Sequence, residues 1–171
     1  MERPKNQATL CIPYNGNKIL LGMKKRGFGL GKYNGFGGKV ISGETIEETT
    51  LRELQEESGL YSNLKYLKKF AELDFFFPYK TEWNQTVHVY IISTFFGEPR
   101  ETEEMTFQWF NRDKIPYSKM WDDDKYWLPL VLDGKRLQAT FIFREKDGEN
   151  VVDYKDIKKV ENLEKVLSQE N

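Results

Sequence analysis

The run from Gly38 to Leu60, GKVISGETIEETTLRELQEESGL, constrains this chain more than any other stretch. From about Thr45 to Ser58 it holds good helix formers and neither Pro nor Gly. Gly59 then supplies a left-handed stop just past the end. On a helix turning about 100° per residue, Glu53, Glu56 and Glu57 fall within one arc. Thr50, Leu51 and Leu54 occupy the adjoining arc, the expected buried side. Three carboxylates so placed repel unless a cation neutralises them or one keeps its proton. Hard oxygen donors in a tight set suit Mg2+ or Mn2+. The plainer reading is a solvated acidic helix with an Arg52–Glu56 ion pair one turn apart. The wider spacing favours the metal: five residues separate Gly38 from Glu44, and seven separate Glu44 from Arg52.

Gly38, Glu44, Arg52-Glu53-Leu54-Gln55-Glu56-Glu57-Ser58-Gly59-Leu60 match the Nudix box at every specified position. The chain therefore resembles the Nudix hydrolases, which cleave nucleoside diphosphates linked to another group. The resemblance implies an α/β fold, the Nudix α/β/α sandwich with a mixed β-sheet between helices. It also implies a Mg2+ cofactor, with Mn2+ as a substitute. Carried over residue by residue, Glu53, Glu56 and Glu57 and a carbonyl of Gly37 or Gly38 are the metal ligands, Glu56 foremost. Arg52 would orient a neighbouring carboxylate by a charge-assisted hydrogen bond, and Glu44 would hold the loop to the helix. The general base stays open between a box glutamate and a later loop glutamate, Glu103 or Glu104. Glu104 is taken as metal ligand or base, against the alternative of a solvated loop charge.

Composition narrows the partners. With 26 basic and 27 acidic residues, the net charge of −1 gives no reason to expect a nucleic acid polymer. No apolar run reaches membrane-spanning length, and no signal-peptide core opens the chain. The expectation is a cytoplasmic monomer acting on a small-molecule nucleotide. The single cysteine, Cys11, sits in an apolar run and reads as core. The single histidine, His88, lies between valines in a strand pattern and reads as structural.

Taken in order, residues 1–6 read as loose. Ala8 to Tyr14 and Lys18 to Met23 read as strands about an Asn15-Gly16-Asn17 turn. The loop KKRGFGLGKYNGFGG lacks both GxGxxG and P-loop spacing, so its glycines read as allowing close backbone approach. Leu64 to Phe77 and Thr86 to Phe96 are strand-like, joined by a polar loop, and Phe107 to Phe110 is a short strand. A short helix is expected through Tyr126 to Leu132, with Asp122, Asp123 and Asp124 before it. Leu137 to Arg144 and Val151 to Tyr154 close the sheet around Asp147-Gly148. Asp156 to Leu167 places Ile157, Val160, Leu163, Val166 and Leu167 on one helical face. The expectation is one domain over residues 1–171, with a core at 8–154 and a helical extension at 155–171.

A narrower resemblance concerns the substrate. LLGMKKRGFGLGKYNGFGGKV, VHVY, WF, IPYSKMWDDDKYWLPLVL and FIF are together similar to the animal-type oxidised purine nucleoside triphosphatases. These remove 8-oxo-dGTP and 2-hydroxy-dATP from the nucleotide pool. The resemblance implies hydrolysis to monophosphate and pyrophosphate, with Thr9, Lys24, Phe28, Asn34, Trp121, Asp123 and Asp124 binding substrate. Trp121 and Phe28 can stack on a purine, and Asn34, Asp123 and Asp124 can meet its edge. Two carboxylates among aromatics should titrate apart, so that one donates and the other accepts. The plainer alternative has the aspartates capping the helix, with Trp121 and Trp127 in the core. Lys24 reads either as a phosphate contact or as an exposed lysine. Three departures from the family stand out: Asp122 replaces a proline, Gln85 replaces a methionine, and the 74–85 region is longer. That region brings Phe75, Phe76, Phe77 and Trp83, some of them candidates for the pocket wall. Other nucleotides of the class, such as alkylated purines, dinucleoside polyphosphates or caps, remain an alternative, as does a non-catalytic nucleotide sensor.

Overall fold

Alternation between two faces of one sheet organises the chain in the computed structural model, which describes residues 2–163. Strands β1 (Gln7–Asn15) and β2 (Lys18–Lys24) form the expected hairpin, and the two-residue β3 (Tyr33–Asn34) pairs with β2. Next come β4 (Lys68–Phe76), β5 (Gln85–Ile92), β6 (Met105–Asn111), β7 (Arg136–Lys146) and β8 (Glu149–Val160). The order across the sheet is β3-β2-β1-β5-β4-β7-β8, with β6 also on β2. It is mixed: β1–β5 and β4–β7 run parallel, the remaining pairs antiparallel.

Helix α1 (Ile46–Ser58) covers one face and α2 (Asp124–Leu132) the other, giving the expected sandwich. In β1, Leu10 and Ile12 join the core under α2, whereas Cys11 joins Leu20, Leu54 and Tyr90 under α1, as period-two geometry requires. Burial pushes the Cys11 thiol up to about 12, so it behaves as a small core side chain. Thr45 caps α1 with a complete capping box to Glu48, and Gly59, at φ 84°, ends it. The buried stripe of α1 is Thr49, Thr50, Leu54 and Ser58; Leu51, expected inside, is only half-buried.

Two expectations need correction. Where a helix was expected from Asp156, β8 continues to Val160, paired with β7 through Arg136↔Val160. The ladder offers each backbone group a partner along the whole of β7, which outweighs a helical spacing of apolar residues. The rest of that expected helix, beyond residue 163, lies outside the described residues. The N-terminal segment is also not loose. Pro4 is buried, and Arg3 forks onto Glu72 (2.8 Å) and Asp74 (3.0 Å).

That fork opens a charged layer buried between the sheet and α1. Lys69 Nζ donates to Glu72 (2.9 Å) and to His88 Nδ1 (2.7 Å), and His88 Nε2 meets Gln7 Oε1 (2.6 Å). A charged Lys69 fixes the tautomer, with the ring proton on Nε2 and donated to Gln7. His88 is therefore structural. Burial, reinforced by Lys69, lowers its pKa from 6.5 to about 4. Burial pushes Glu72 up, but Arg3 and Lys69 outweigh it and hold the group below its ordinary value. Because the folded pKa of His88 lies below the unfolded one, its contribution is complete above pH 6.5 and lost as pH falls toward about 4. Denaturant titrations should show stability falling across that window by on the order of 3 kcal/mol. In His88→Gln that slope should flatten.

Candidate active site

The site is built where the backbone passes closest to itself. Residues Phe36 to Val40 lie along β1, with Cys11 N–H donating to Phe36 O (2.6 Å) and Thr9 N–H to Gly38 O (2.9 Å). At Gly37 a Cβ would stand 1.8 Å from Thr9 O, so only glycine allows this approach. Two carboxylates of α1 then grip the exposed turn of chain. Glu57 Oε1 accepts the Gly37 N–H at 2.8 Å, and the Glu53 carboxyl packs against Gly38, 2.7 Å from where a Cβ would be.

Arg52 orders the remaining carboxylates. It forks onto Glu44 (2.7 and 3.0 Å), while its Nη1 reaches both Glu53 (3.0 Å) and Glu56 (3.1 Å). Thr49 Oγ1 also donates to Glu44 (2.8 Å), which ties the loop to the helix as expected. The Arg52–Glu56 pair of the plainer reading is present too, as one arm of this larger network.

Burial raises Glu57 to about 7, helped by the charges of Glu53 and Glu104 and opposed by the Gly37 N–H and Lys24. Burial raises Glu53 as well, against the pull of Arg52. Among the described residues no three acidic, His or Cys side chains converge on one point as a ready-made metal cage. Glu53 and Glu56 turn to Arg52 and Glu57 to Gly37. The donor set still fits a hard dication: acidic oxygens and glycine carbonyls crowd together, and a buried carboxylate sits far above its ordinary pKa for want of positive charge. Gly38 O accepts the Thr9 N–H (2.9 Å) and, at 3.5 Å, the Thr9 hydroxyl. Glu104 is exposed and paired with Arg26 (3.2 Å), so it meets the cluster through its field on Glu57 rather than by contact.

A cavity of about 430 Å3 opens from Glu57 and Gly38. Thr9, Lys24, Phe28, Asn34, Trp121, Asp123 and Asp124 all line it, whereas Arg52, Glu53, Glu56 and Glu104 stand outside its wall. Its aromatic end is Phe28, Trp83, Phe77, Trp121 and Phe143 in mutual contact, with Phe28 5.3 Å from Trp121 and 4.9 Å from Trp83. Phe28 and Trp121 thus pack on each other, and a base cannot lie between them in this arrangement. Phe75, Phe77 and Trp83 of the long 74–85 region face the cavity; Phe76 does not.

The three aspartates do not cap α2. Asp123 stands at the N-cap in helical conformation, with no capping bond from its side chain. Asp122 accepts the Val152 N–H (2.8 Å) and pairs with Lys125 (2.8 Å). Asp123 accepts the indole N–H of the buried Trp127 at 2.7 Å. Asp124 Oδ2 is buried with no hydrogen-bond partner among the described residues. Burial raises both Asp123 and Asp124. Trp127 draws Asp123 back, while Asp124 is lifted further by the neighbouring Asp123 charge. The expected split, one carboxyl raised and the other left ionised, is not what burial produces: both are raised, Asp124 the further.

Sequence reasoning missed Asn6, Lys32, Asn84 and Phe143 as wall residues. The alternation of Phe141 and Phe143 along β7 is a signal that could have found Phe143. Nothing local marks Asn6, which is carried in by Thr86 N–H donating to its carbonyl (2.9 Å).

The chain resembles known proteins over most of its length. A protein of Danio rerio named oxidized purine nucleoside triphosphate hydrolase is 48% identical over 155 residues, 91% of this chain and 96% of that one. A Mus musculus protein of the same name is 46% identical over 139 residues, 81% and 87% respectively. The fold matches a MutT protein crystal structure from Bacillus halodurans with a TM-score of 0.71, at 22% identity, over 89% of this chain and 97% of that one. No helix among the described residues is long and apolar enough to cross a membrane. The NUDIX domain model matches residues 4–131, and with the acidic helix clasping Gly37 and Gly38 the chain belongs to the NUDIX family.

Proposed function

We propose that this protein hydrolyses oxidised purine nucleoside triphosphates, 8-oxo-dGTP and 2-hydroxy-dATP, to monophosphate and pyrophosphate. The observation that carries the reading is one cavity joining an acidic cluster at Glu57 to an aromatic wall holding two buried aspartates. The names of the Danio rerio and Mus musculus relatives support it. The same reading has the chain acting as a cytoplasmic monomer on free nucleotides.

Glu53, Glu56 and Glu57, with the carbonyl of Gly37 or Gly38, would hold a divalent cation, Mg2+ by preference. Bound there, it neutralises phosphate oxygens and makes water a better nucleophile. The chain's own groups do the rest. Lys24, on the cavity wall, meets a phosphate as a point charge. Arg52 fixes the orientation of Glu53 and Glu56, and a glutamate of the cluster, or Glu104, takes the proton of the attacking water. The base stacks on the Trp121–Phe28 wall and presents its edge to Asn34 and the aspartates. Asp124 keeps its proton and donates, while Asp123 accepts. A purine that needs the opposite pattern is met by moving one proton between neighbours. Asp122 sets this balance, since its charge helps raise Asp123.

Three measurements check the reading. A Mg2+-dependent panel of 8-oxo-dGTP, 2-hydroxy-dATP, O6-methyl-dGTP, N6-methyl-dATP, dGTP, dATP and a cap analogue should show oxidised purines turning over fastest. In Glu56→Gln, kcat should fall at least about a hundredfold. Cleavage of the cap analogue alone would overturn the substrate assignment but leave the metal chemistry.

Asp123→Asn and Asp124→Asn should each change the ratio of 8-oxo-dGTP to 2-hydroxy-dATP turnover. An unchanged ratio in both would remove the proton-sharing account.

Because Glu57 sits at about 7 and must ionise to hold a cation, cation affinity should rise with pH through that value. Calorimetry in buffers of different ionisation enthalpy should detect proton release below pH 7, and Glu57→Gln should abolish it.

A further inference from the structure

We infer that Gln85 is a specificity-determining residue whose carboxamide pairs with the adjacent N–H and C=O that 8-oxidation places on the imidazole ring of a purine. This rests on the function proposed above and assigns it a further contact.

Four carboxamides line the cavity: Asn6, Asn34, Asn84 and Gln85. Three are already committed at one end. Asn34 Oδ1 accepts the Gly35 N–H (2.9 Å), Asn84 Oδ1 accepts the Phe77 N–H (2.6 Å), and Asn6 Nδ2 donates to Asn84 O (3.1 Å). Each keeps spare capacity, but the bond it already makes fixes the direction in which that capacity points. Gln85 makes no side-chain hydrogen bond among the described residues, so it alone of the four has its whole carboxamide free to turn to a ligand.

Its direction is set by the strand. Along β5, Thr86 and His88 turn to the α1 side, where they bond Asp74 and Lys69, so Gln85 and Val87 face the cavity. Opposite Gln85 in the register is Phe75, also in the cavity wall. Leu73, Phe75, Val87 and Phe143 give the cavity an apolar stretch of wall, and the amides of Asn6 and Asn84 lie in the same wall.

The position relative to the aspartates is equally constrained. Strands β5, β4 and β7 are neighbours, and α2 packs over β7 through Trp127. Gln85 therefore lies two strand spacings, about 10 Å, from the strand beneath the aspartates. A purine laid across the floor spans that interval, with its six-membered ring toward Asp123 and Asp124 and its imidazole ring toward Gln85.

The chemistry then discriminates. An unmodified purine shows N7 as a bare acceptor beside a C8–H, and a carboxamide makes one bond to it. An 8-oxopurine shows N7–H beside C8=O, the complement of Oε1 and Nε2, and makes two. Glutamine is suited to such paired edges, as its bidentate contacts to adenine in the DNA major groove illustrate. A 2-hydroxyadenine keeps the unmodified imidazole ring and makes only the single bond to N7.

The test is steady-state kinetics of the unaltered protein, Gln85→Leu and Gln85→Glu on 8-oxo-dGTP, dGTP and 2-hydroxy-dATP, with thermal midpoints as a folding control. Gln85→Leu removes two bonds from 8-oxo-dGTP and one from dGTP or 2-hydroxy-dATP, so it should raise KM for 8-oxo-dGTP about tenfold, clearly more than for the other two, with kcat held within about twofold. Gln85→Glu, which accepts at both oxygens, should satisfy N7–H but not C8=O and should also weaken 8-oxo-dGTP. Equal KM changes for all three nucleotides would mean packing and overturn the assignment. So would an unchanged KM in a folded Gln85→Leu that still prefers 8-oxo-dGTP, and there the functional reading survives. If the unaltered protein shows no preference for oxidised purines, the functional reading fails and Gln85's role with it.

Discussion

The contact of Gly37 with the backbone of Thr9 is the constraint on which the rest of the site depends. At 1.8 Å from the Thr9 carbonyl, even a methyl group has no space, so the chain after the Gly-rich loop is pressed onto β1. That pressure fixes three things at once. The Gly38 carbonyl is held by the Thr9 N–H, the Gly37 N–H is offered to Glu57, and Glu53 is stopped against Gly38. An acidic helix face alone would spread its charges into solvent. Here two of its carboxylates are drawn inward and part-desolvated, which raises both and makes added positive charge favourable.

The sheet separates two kinds of interior. Toward α1 lies a charged layer, Arg3–Glu72–Lys69–His88–Gln7, in which each charge meets an opposite charge or a donor. Toward α2 the side chains are apolar and aromatic, except where the cavity admits polar groups. A buried ion cluster is poor evidence of added stability, since desolvation offsets much of its attraction. Its consequence here is positional. Arg3 anchors the N-terminal segment to β4, and that segment delivers Asn6 to the cavity rim.

Much of this was legible in the sequence because the informative signals are local. An uninterrupted run of helix formers and a terminal glycine placed α1 to within a residue, and an Asn-Gly turn placed the first hairpin. The box spacing located the acidic cluster, and the Trp-Asp-Asp-Asp run located the far end of the cavity. What failed was long-range. The spacing of Ile157, Val160 and Leu163 suits a helix, yet pairing with β7 decides the conformation, and no local pattern reports that partner. Arg3 looked like tail because Glu72 and Asp74 are some seventy residues away. Asp123 and Asp124 read equally well as caps, and only their burial beside Trp127 separates the two readings.

The buried, unpartnered oxygen of Asp124 joins these levels. A carboxylate without a donor in such a place costs far more than a neutral carboxyl, so the proton stays. The neutral group is then a donor in the wall of a cavity where Asn34 and Asn84 already make one bond each to the protein. Asp123, one residue away, has the Trp127 indole to stabilise its charge, which offsets part of what burial adds. The asymmetry between them comes from Trp127, a core tryptophan that also lines the cavity. Selectivity at such a site is written as much in which groups the fold leaves unsatisfied as in those placed to touch the ligand. A ligand that completes those groups recovers the cost of their burial, and one that cannot leaves it standing.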